Sequence, residues 1–579
     1  MRIGLITEGG HPYVSGDAGL WYDRLVRGLG QHEFDVYALG RTGRQEAGGA
    51  VPPSGARRVR TAPLWTAGAD GAALGRRARR RFGEAYGELA AVLCAVPEPV
   101  RSPGTSSAPE PADPEADRFR SALYALAELA RDEGALAGAL RSETALRALE
   151  KACRAPRAPR AARVSELLDI AVQVERALRP LSLDWYEDDA LGAVDLCHAT
   201  TGGAPALTGL LARHFTGVPL LVTEYGAQLR AHYLGTPGGP EAGSPVRALL
   251  ASLHRRIAAE VYRTAACVTP GNAHTRRWQE RCGADRSRSR TVHPGLEASR
   301  FAEVGESPDR SDPHTLLWVG RVEPGKDLVC LLHAFTRIRA QVPRARLRLV
   351  GAPADAAGRA YLGHCKALAA QLFPDEAEGV HDVGDNPVSF EESGGPGAPD
   401  LADVYAAGAV VVLSSVAEGF PTGLVEAMLC GRATVSTDTG AVLEVIGGTG
   451  LVVPPRNPRA LARACVALLK DPERRARLGA AARARALELF TVEQNIEAFR
   501  GIYLEIVSRT PVRRVLVDDA GAPLPFGAPA ESHVPGLWAR TRAPGGRPRW
   551  AWAPRETATA PVRATGRSQK PVTVAEGAG

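Results

Sequence analysis

The amino-acid sequence begins the same pattern twice, and this repetition limits the folds that are open to the chain. The first copy has an apolar run at 3–6, a glycine-rich loop, the helical pattern LWYDRLVRGLG and an apolar run at 34–39. The second copy starts at Thr315 with LLWVG, the loop RVEPGKD and the helical stretch LVCLLHAFTRIRA. A strand, a loop, a helix and another strand form the unit of parallel doubly wound sheets. We therefore predict an α/β protein with two Rossmann-like doubly wound domains that face a cleft.

Composition changes along the chain predict where these domains begin and end. Residues 97–116 are rich in Pro, Ser, Ala and Glu, and the stretch after 510 is rich in Pro, Gly, Ala and Arg, so we expect disorder in both. The predicted organisation is an N-terminal domain at 1–308 with a disordered excursion at 97–116 and a helical insertion at 117–182, a second domain at 309–490, a helix at 491–509 that crosses back, and a tail at 510–579. Further strands are predicted at 194–198, 218–223, 265–269, 291–293, 346–351, 408–415 and 432–437.

Charge and cysteine content exclude several classes of protein. The net charge of +7 is modest for 579 residues, so we expect no nucleic-acid partner. None of the nine cysteines falls in a CxxC pair, which argues against a zinc site and against a disulfide framework. The amino terminus is too short in apolar residues for a signal peptide, and no run of 18 apolar residues occurs, so a cytoplasmic location is expected. The tail arginines with Trp538, Trp550 and Trp552 could contact an anionic membrane, or form a solvated tail.

Two glutamates bracket a turn in the stretch AEGFPTGLVEA, which follows the apolar run GAVVVLSSV. Ligands of open α/β sheets bind outside the carboxyl ends of the strands. Gly419 allows a tight turn there, Pro421 fixes φ, and Thr422 can cap a helix over 424–429. The N–H groups of Thr422, Gly423 and Leu424 would then face phosphate or sugar oxygens.

The carboxylates Glu418 and Glu426 can accept hydrogen bonds from a polyhydroxylated ligand. A negative ligand beside them needs cations, which Arg321 and Lys326 supply in the loop after the first strand of the second half. This loop lacks the glycine spacing of a Walker motif, and no Asp-x-Asp pair of the kind that holds a nucleotide-sugar magnesium is present. We predict that the two cations neutralise a diphosphate without a metal ion or another cofactor.

These residues resemble a known family. Gly320-Arg321…Gly325-Lys326, the Glu418-x7-Glu426 pair and TDTGAVLEVI resemble retaining glycosyltransferases of the GT-B fold, family four. TEGGHPYVSGDAGLWYDRLVRGL and HATTGG…PLLVTEYGAQLR look like its Pel-type exopolysaccharide branch. The resemblance covers roughly 1–95 and 185–508, and it implies that 309–490 binds a nucleotide sugar while 1–308 binds the acceptor.

The resemblance also implies roles for individual residues. Catalytic roles fall to Glu418, Arg321 and Lys326, with the two cations on the donor diphosphate and Glu418 on the hydroxyls of the donor sugar. The donor-binding residues it implies are Gly16, Asp17, Gly320, Gly419, Phe420, Pro421, Thr422, Gly423 and Glu426, the last of these on the ribose. His198, Glu224 and Tyr225 would line the acceptor side.

Each N-terminal residue also has a structural interpretation. Asp17 stands where the family has Gly and could cap the helix that follows, and Tyr225 stands where the family has His and could pack in the core. His198 could be a core histidine, and Glu224 could cap a helix.

The expected activity is retaining transfer of a hexose, with UDP-glucose as the typical donor, to a polysaccharide or glycoconjugate. The implied partners are a nucleotide-sugar donor, a carbohydrate or small hydroxylated acceptor, and a membrane synthase complex in peripheral contact. Three alternatives stay open: a nucleotide-sugar 2-epimerase, an inactive nucleotide-sugar-binding protein, and glucosylation of a small acceptor such as an inositol phosphate or an antibiotic.

Overall fold

The computed structural model describes most of the chain. The described residues are 1–8, 17–40, 55–64, 74–95, 113–155, 158, 162–226, 229, 233, 244–307, 311–374, 386–392, 400–510, 516–517 and 523–524, with no side chains at 17–20, 516–517 and 523–524. The chain divides into two compact units, Met1–Arg513 and Arg514–Gly579. In the second unit, Leu516–Val517 pairs antiparallel with Pro523–Leu524.

A parallel sheet of six strands organises the N-terminal half of the first unit. Its strands are β1 (Arg2–Glu8), β2 (Glu33–Gly40), β3 (Ala56–Pro63), β4 (Leu196–Ala199), β5 (Leu220–Glu224) and β6 (Cys267–Pro270). Their order across the sheet is β3-β2-β1-β4-β5-β6, and all neighbours are parallel. This is the doubly wound order, whose direction reverses between the first and fourth strands.

A second parallel sheet of six strands repeats this order. Its strands are β7 (Asp312–Val319), β8 (Arg346–Val350), β9 (Val388–Glu391), β10 (Gly408–Leu413), β11 (Ala433–Thr437) and β12 (Leu451–Val453). The order β12-β11-β10-β7-β8-β9 is parallel throughout and reverses between β7 and β10. The prediction of two Rossmann-like domains in an α/β protein is confirmed.

Helices connect the strands. In the N-terminal half the α-helices of the described residues are α1 (Asp17–Gly28), α2 (Arg76–Leu93), α3 (Pro114–Glu133), α4 (Leu136–Leu140), α5 (Glu143–Cys153), α6 (Val164–Leu178), α7 (Ala204–Thr216), α8 (Ser244–Thr264) and α9 (Ala273–Arg281). Beyond them lie α10 (Ala302–Glu306), α11 (Leu328–Arg339), α12 (Ala356–Leu372), α13 (Leu401–Ala407), α14 (Thr422–Leu429), α15 (Val442–Ile446), α16 (Pro458–Leu469), α17 (Pro472–Leu489) and α18 (Val492–Arg509).

The insertion predicted at 117–182 consists of helices, which confirms this part of the fold prediction. Helices α3 to α6 share one apolar core with α2, α7 and α8, which includes Phe119, Leu126 and Ile170. Helix α18 follows the second sheet in the sequence but packs on the N-terminal half. Its Phe499 and Tyr503 lie in one apolar cluster with Ile3 and Leu5 of β1. The C-terminal helix of the first unit therefore covers a face of the first sheet.

Some local predictions were wrong. Residues 291–293 form no strand, and only the Val292 N–H bonds to the sheet, at Pro270 O (2.9 Å). The strands β3, β9 and β12 were not predicted. Residues 113–116 are ordered, since the Asp113 carboxylate accepts the N–H groups of Glu115 and Ala116 and caps α3.

Other predictions fall where the structure gives no description. The rest of the predicted excursion, 97–112, lies outside the described residues, as does most of the tail from 511. No helix among the described residues combines the length and apolar character that a bilayer span requires. The exact domain boundaries stay predictions.

Candidate functional site

Two loops meet where the second sheet reverses direction. Strands β7 and β10 are parallel neighbours, so the loops after them leave from the same edge. The Val416 N–H donates to Gly325 O (2.9 Å), and the Ser414 hydroxyl donates to Lys326 O (2.7 Å). These bonds join the loop that carries Arg321 and Lys326 to the loop that carries Glu418.

Lys326 and Glu418 are in direct contact. The ammonium Nζ lies 2.7 Å from Oε2 and 3.0 Å from Oε1 of the carboxylate, and the side chains are only 14% and 11% exposed. The backbone that follows Lys326 is anchored, because the Asp327 carboxylate accepts the Cys330 N–H (3.2 Å) and caps α11. The pair places one cation and one anion, both partly buried, at the strand edge where ligands of such sheets bind.

Arg321 lies in the same loop as Lys326, and its side chain is exposed. Within the described part of the chain no ion pair engages its guanidinium. The backbone on each side is fixed, since the Gly320 N–H donates to Val350 O and the Val322 N–H to Ala352 O, both at 3.1 Å. The loop is therefore anchored while the Arg321 side chain faces solvent.

Glu426 is oriented by a tyrosine that the sequence interpretation missed. The Tyr405 hydroxyl lies 3.0 Å from Glu426 Oε2 and 3.0 Å from Gly423 O. Tyr405 is fully buried in α13, and burial followed by the neighbouring carboxylate raises the pKa of its phenol. A buried tyrosine needs a hydrogen-bond partner, which is the signal that could have suggested this role.

The turn before α14 differs from the prediction. Pro421 is the N-cap residue and no side chain caps the helix, so the capping role predicted for Thr422 is wrong. The Thr422 N–H donates to Phe420 O (3.0 Å) and the Leu424 N–H to Pro421 O (3.1 Å). Two of the three N–H groups predicted to face a ligand therefore have partners inside the turn.

Residues of the motif TDTGAVLEVI donate hydrogen bonds to the backbone of this turn and of the loop before it. The Thr437 hydroxyl donates to Ser415 O (2.6 Å), and the Ala441 N–H donates to Gly419 O (3.2 Å). Gly440 has a φ of +57°, and a Cβ there would collide with the carbonyl oxygen of Glu418. Glycine is thus required at 440 for the backbone of Glu418 to lie where it does.

Glu444 of the same motif reaches the N-terminal half. Its Oε2 accepts the Ala273 N–H (2.7 Å) at the start of α9, and its Oε1 lies 3.7 Å from His293 Nε2. The Phe420 ring lies 6.1 Å from the His293 ring. The segment around Glu418 therefore borders the junction of the two halves, and the sequence interpretation had assigned no role to Glu444.

His198 is a core residue and does not line an acceptor site, so that prediction is wrong. It is fully buried in β4, with Nδ1 2.7 Å from the Tyr503 hydroxyl and Nε2 2.7 Å from the Thr223 hydroxyl. Burial lowers its pKa to about 3, so the ring is neutral. The core interpretation considered for this histidine is the one that the structure supports.

Tyr225 is partly buried and packs against the cluster that contains Trp21 and Tyr503, which supports its core interpretation. Its predicted role on the acceptor side stays a prediction. Its hydroxyl accepts from Asn495 Nδ2 (2.9 Å) of α18, and its ring lies 5.1 Å from the Trp21 ring in an edge-on arrangement. Burial raises the pKa of its phenol. The tyrosine thus joins α18 to α1.

Glu224, which was predicted to line the acceptor side, lies in the wall of a cavity. It ends β5, is 2% exposed, and accepts hydrogen bonds from the Tyr262 hydroxyl (2.5 Å) and from Gln279 Nε2 (2.8 Å). The cavity measures about 190 Å³, far more than the roughly 10–15 Å³ that one water needs. Its lining also includes Glu8, Arg176 and His254.

The cavity is lined by the ends of strands in the first sheet and by the helices α6 and α8. Glu8 ends β1, Arg176 belongs to α6, and His254 belongs to α8. A Cβ at Gly202 would displace the Glu224 carboxylate from its present position. The sequence interpretation missed Glu8, Arg176 and His254, because only packing brings α6 and α8 to the strand ends.

The predicted N-terminal phosphate loop is mostly outside the structure. Gly16 lies outside the described residues, and Asp17 is the first residue of α1 with its side chain not described. Their predicted roles toward the donor therefore stay predictions.

Two families of known proteins match parts of this chain. Residues 313–471 match the family described as glycosyl transferases group 1. We refer to the matched residues 313–471 below as the group 1 domain. Residues 1–287 match a family described as a domain of unknown function (DUF3492). The group 1 domain contains Lys326, Glu418, Glu426 and Tyr405. It therefore contains both loops that meet where the second sheet reverses direction, which we call the paired loops.

Curated relatives and solved structures are also similar to this chain. A D-inositol 3-phosphate glycosyltransferase of Streptomyces bingchenggensis is 33% identical over 38% of this chain and 49% of its own length, and one of Kineococcus radiotolerans is 33% identical over 38% and 53%. The chain thus spans about half the length of the curated relatives it matches. Anabaena HepE in complex with UDP has a TM-score of 0.50 at 14% identity, covering 87% of this chain and 100% of its own. A sucrose-phosphate synthase of Thermosynechococcus elongatus has a TM-score of 0.50 at 17% identity, covering 88% and 99%. The two structures share the GT-B fold with this chain.

Proposed function

We propose that the chain is a retaining glycosyltransferase that moves glucose from UDP-glucose to a carbohydrate hydroxyl without a divalent metal ion. The observation that carries this proposal is the contact of Lys326 Nζ with Glu418 Oε2 at 2.7 Å, where the second sheet reverses direction. A cation beside a carboxylate at that edge suits a ligand with a diphosphate next to sugar hydroxyls. The match of 313–471 to glycosyl transferases group 1 supports the same activity.

Each part of the donor has a proposed partner. The Lys326 ammonium has three N–H donors, so it can bind a phosphate oxygen and keep a contact with Glu418. The exposed Arg321 guanidinium binds the diphosphate from the same loop. Glu418 accepts from hydroxyls of the glucose, and Glu426, oriented by Tyr405, accepts from the ribose. Gly16 and Asp17 approach the phosphates from the other half.

The proposed reaction breaks the bond between the anomeric carbon and the diphosphate oxygen. The acceptor oxygen forms the new bond on the same face of the sugar, and the departing phosphate oxygen takes the acceptor's proton. Lys326 and Arg321 stabilise the negative charge that develops on the diphosphate, which is preorganised electrostatic catalysis. This chain supplies no covalent nucleophile in the proposal.

The proposed acceptor site is the cavity beside Glu224. Its lining carries two carboxylates, Glu8 and Glu224, and two basic groups, Arg176 and His254. Such a lining offers both donors and acceptors to a polyhydroxylated molecule. The resemblance to the Pel-type branch favours a growing exopolysaccharide as acceptor, whereas the relatives are named for D-inositol 3-phosphate. Peripheral contact with a membrane synthase complex stays a prediction.

Product analysis tests this proposal. Full-length protein is incubated with UDP-glucose and a chelator, with oligosaccharides or D-inositol 3-phosphate as acceptor, and the products are analysed by mass spectrometry and NMR. We expect UDP release that depends on the acceptor, and an anomeric configuration that matches the donor. A C2-epimerised nucleotide sugar formed without acceptor would identify an epimerase, and donor binding without any product would identify a binding protein; either result contradicts the proposal.

A further inference from the structure

One carboxylate of the second half caps a helix of the first half. Glu444 Oε2 accepts the N–H of Ala273, the first residue of α9, at 2.7 Å. The first N–H groups of a helix have no partner within the helix and carry partial positive charge, so a carboxylate is well placed there. Asn272 caps the same helix from within the first half, through the Thr275 N–H (2.8 Å). The start of α9 is therefore held from both halves.

The backbone around Glu444 is fixed within the second half. Arg485 of α17 donates from Nη2 to Glu444 O (2.7 Å). The same motif is bonded to the turn after Glu418, where the Ala441 N–H donates to Gly419 O (3.2 Å). Because its backbone is anchored in this way, the Glu444 side chain relates α9 to the turn that carries Glu418.

The other end of α9 reaches the cavity beside Glu224. Gln279 lies six residues after Ala273, or about 9 Å along the helix. Its Nε2 donates to Glu224 Oε2 (2.8 Å), and the side chain is 1% exposed. At the strand end, the Gly271 N–H donates to Glu224 O (3.1 Å). One helix therefore runs from the Glu444 contact to the wall of the cavity.

We propose that Glu444 is a positioning residue that sets the cavity beside Glu224 at the correct distance from the donor site at Glu418. This inference rests on the proposed function, which assigns the cavity to the acceptor and Glu418 to the donor sugar. The acceptor oxygen must lie within about 3–3.5 Å of the anomeric carbon, and a misplacement of about 1 Å can cost about 10²-fold in rate. Glu444 acts through α9 and not on either substrate.

A contact that only stabilises the fold has different consequences. Loss of a purely structural cap lowers the melting temperature and leaves the kinetic constants of the folded protein unchanged. Loss of a positioning contact lowers kcat for transfer, while UDP binds as before because Arg321 and Lys326 keep their places. Hydrolysis of UDP-glucose is spared as well, because water does not need the acceptor cavity.

Two variants remove the contact from opposite sides. Glu444→Ala removes the carboxylate. Ala273→Pro removes the N–H and keeps the carboxylate, and proline suits the first position of a helix after an extended residue such as Asn272. Glu444→Gln keeps an oxygen that can accept the N–H. Glu488→Ala, at an exposed glutamate of α17, is the matched control.

Transfer, hydrolysis and UDP binding are measured for each folded variant, with saturating UDP-glucose and the acceptor that serves the wild type. We expect kcat for transfer to fall by roughly 10–100-fold in Glu444→Ala and in Ala273→Pro, with hydrolysis and UDP affinity within about twofold of the wild type. Glu444→Gln should keep transfer within about fivefold, and Glu488→Ala should match the wild type. The double variant should lose no more than either single variant, because both remove the same contact.

Three results would overturn the positioning role. They are transfer near the wild-type rate in Glu444→Ala or in Ala273→Pro, equal losses of transfer, hydrolysis and UDP affinity, and loss of the fold in both variants, since the last two would make the contact structural. A wild type that transfers no sugar to any acceptor contradicts the proposed function itself, and the positioning role then falls with it.

Discussion

Lys326 and Glu418 illustrate how a binding site keeps its charges paired before its ligand arrives. Each side chain is mostly buried, and an isolated charge in such a place is costly. Their contact at 2.7 Å satisfies both groups in the ligand-free chain. When a sugar diphosphate binds, the ammonium can add a phosphate oxygen and the carboxylate can add sugar hydroxyls while the two groups keep their contact. The site therefore needs little rearrangement to accept its ligand.

The first prediction concerns Lys326. Lys326→Ala should lower glucose transfer by roughly 10²–10³, because it removes a cation that faces the departing diphosphate. Steady-state rates of UDP release measure the effect, with Lys470→Ala, an exposed lysine at the end of α16, as the control. Lys326→Ala also leaves Glu418 without its partner, so melting curves must accompany the rates. Rates near those of the wild type in a folded variant would remove Lys326 from the mechanism.

A second prediction concerns Tyr405. Tyr405→Phe removes the hydroxyl that orients Glu426, so the KM for UDP-glucose should rise by up to about tenfold, the value of one hydrogen bond, with little change in kcat. Initial rates over a range of donor concentrations separate the two constants. Tyr361→Phe in α12 is a control outside the paired loops. A large loss of kcat with an unchanged KM would contradict the positioning role.

At the scale of elements, α18 links distant parts of the first unit. Asn495 is 5% exposed and bonds three groups at once: its Nδ2 donates to the Tyr225 hydroxyl (2.9 Å) and to His293 O (2.7 Å), and its Oδ1 accepts from Trp21 Nε1 (3.1 Å). A single amide thus ties the helix to α1, to the end of β5 and to the chain that leads to the second sheet.

Removal of this amide gives the third prediction. Asn495→Ala should lower the free energy of unfolding by about 1–3 kcal/mol, since the buried Trp21 and the partly buried Tyr225 and His293 carbonyl lose their partner. Urea denaturation measures the change. The exposed neighbour Gln494→Ala is the matched control and should have little effect. Equal stability of the two variants would mean that the amide does not anchor the helix.

The elements that could be predicted from sequence are those buried on both faces. β1, β7 and β10 each contain a buried, mainly apolar run, and the Gly-Lys loop and the two glutamates come after the runs of β7 and β10. β3 reads ARRVRTAP and lies at an edge of its sheet, so its exposed arginines hide the strand pattern. Tyr405 and Asn495 could not be assigned, because their partners are determined by packing between distant segments.

At the scale of the whole molecule, the burial of two histidines makes the free energy of unfolding depend on pH. His198 and His32 are buried in or beside the first sheet, and burial lowers the pKa of the first to about 3 and of the second to about 4. In the unfolded chain both have a pKa near 6.5. The unfolded state therefore binds more protons below about pH 6.5, and acid favours unfolding until the folded pKa values are reached.

The fourth prediction follows from this difference. As the pH falls below about 6.5, each histidine should lower the free energy of unfolding by up to about 1.4 kcal/mol per pH unit. The melting temperature of His198→Gln should fall less than that of the wild type between about pH 7 and pH 5, because the variant lacks one of these two histidines. His333→Gln, at an exposed histidine, is the control. Equal acid sensitivity in all three proteins would contradict the neutral, buried state of His198.

Direct titration of UDP tests the central claim, that the paired loops of the group 1 domain bind a nucleotide sugar. Calorimetry in a chelating buffer compares the wild type with Lys326→Ala and with Lys470→Ala. We predict that one UDP binds per chain to the wild type and to Lys470→Ala, and that Lys326→Ala binds at least roughly tenfold more weakly. Absence of UDP binding to the wild type, or equal affinity in Lys326→Ala, would contradict the claim.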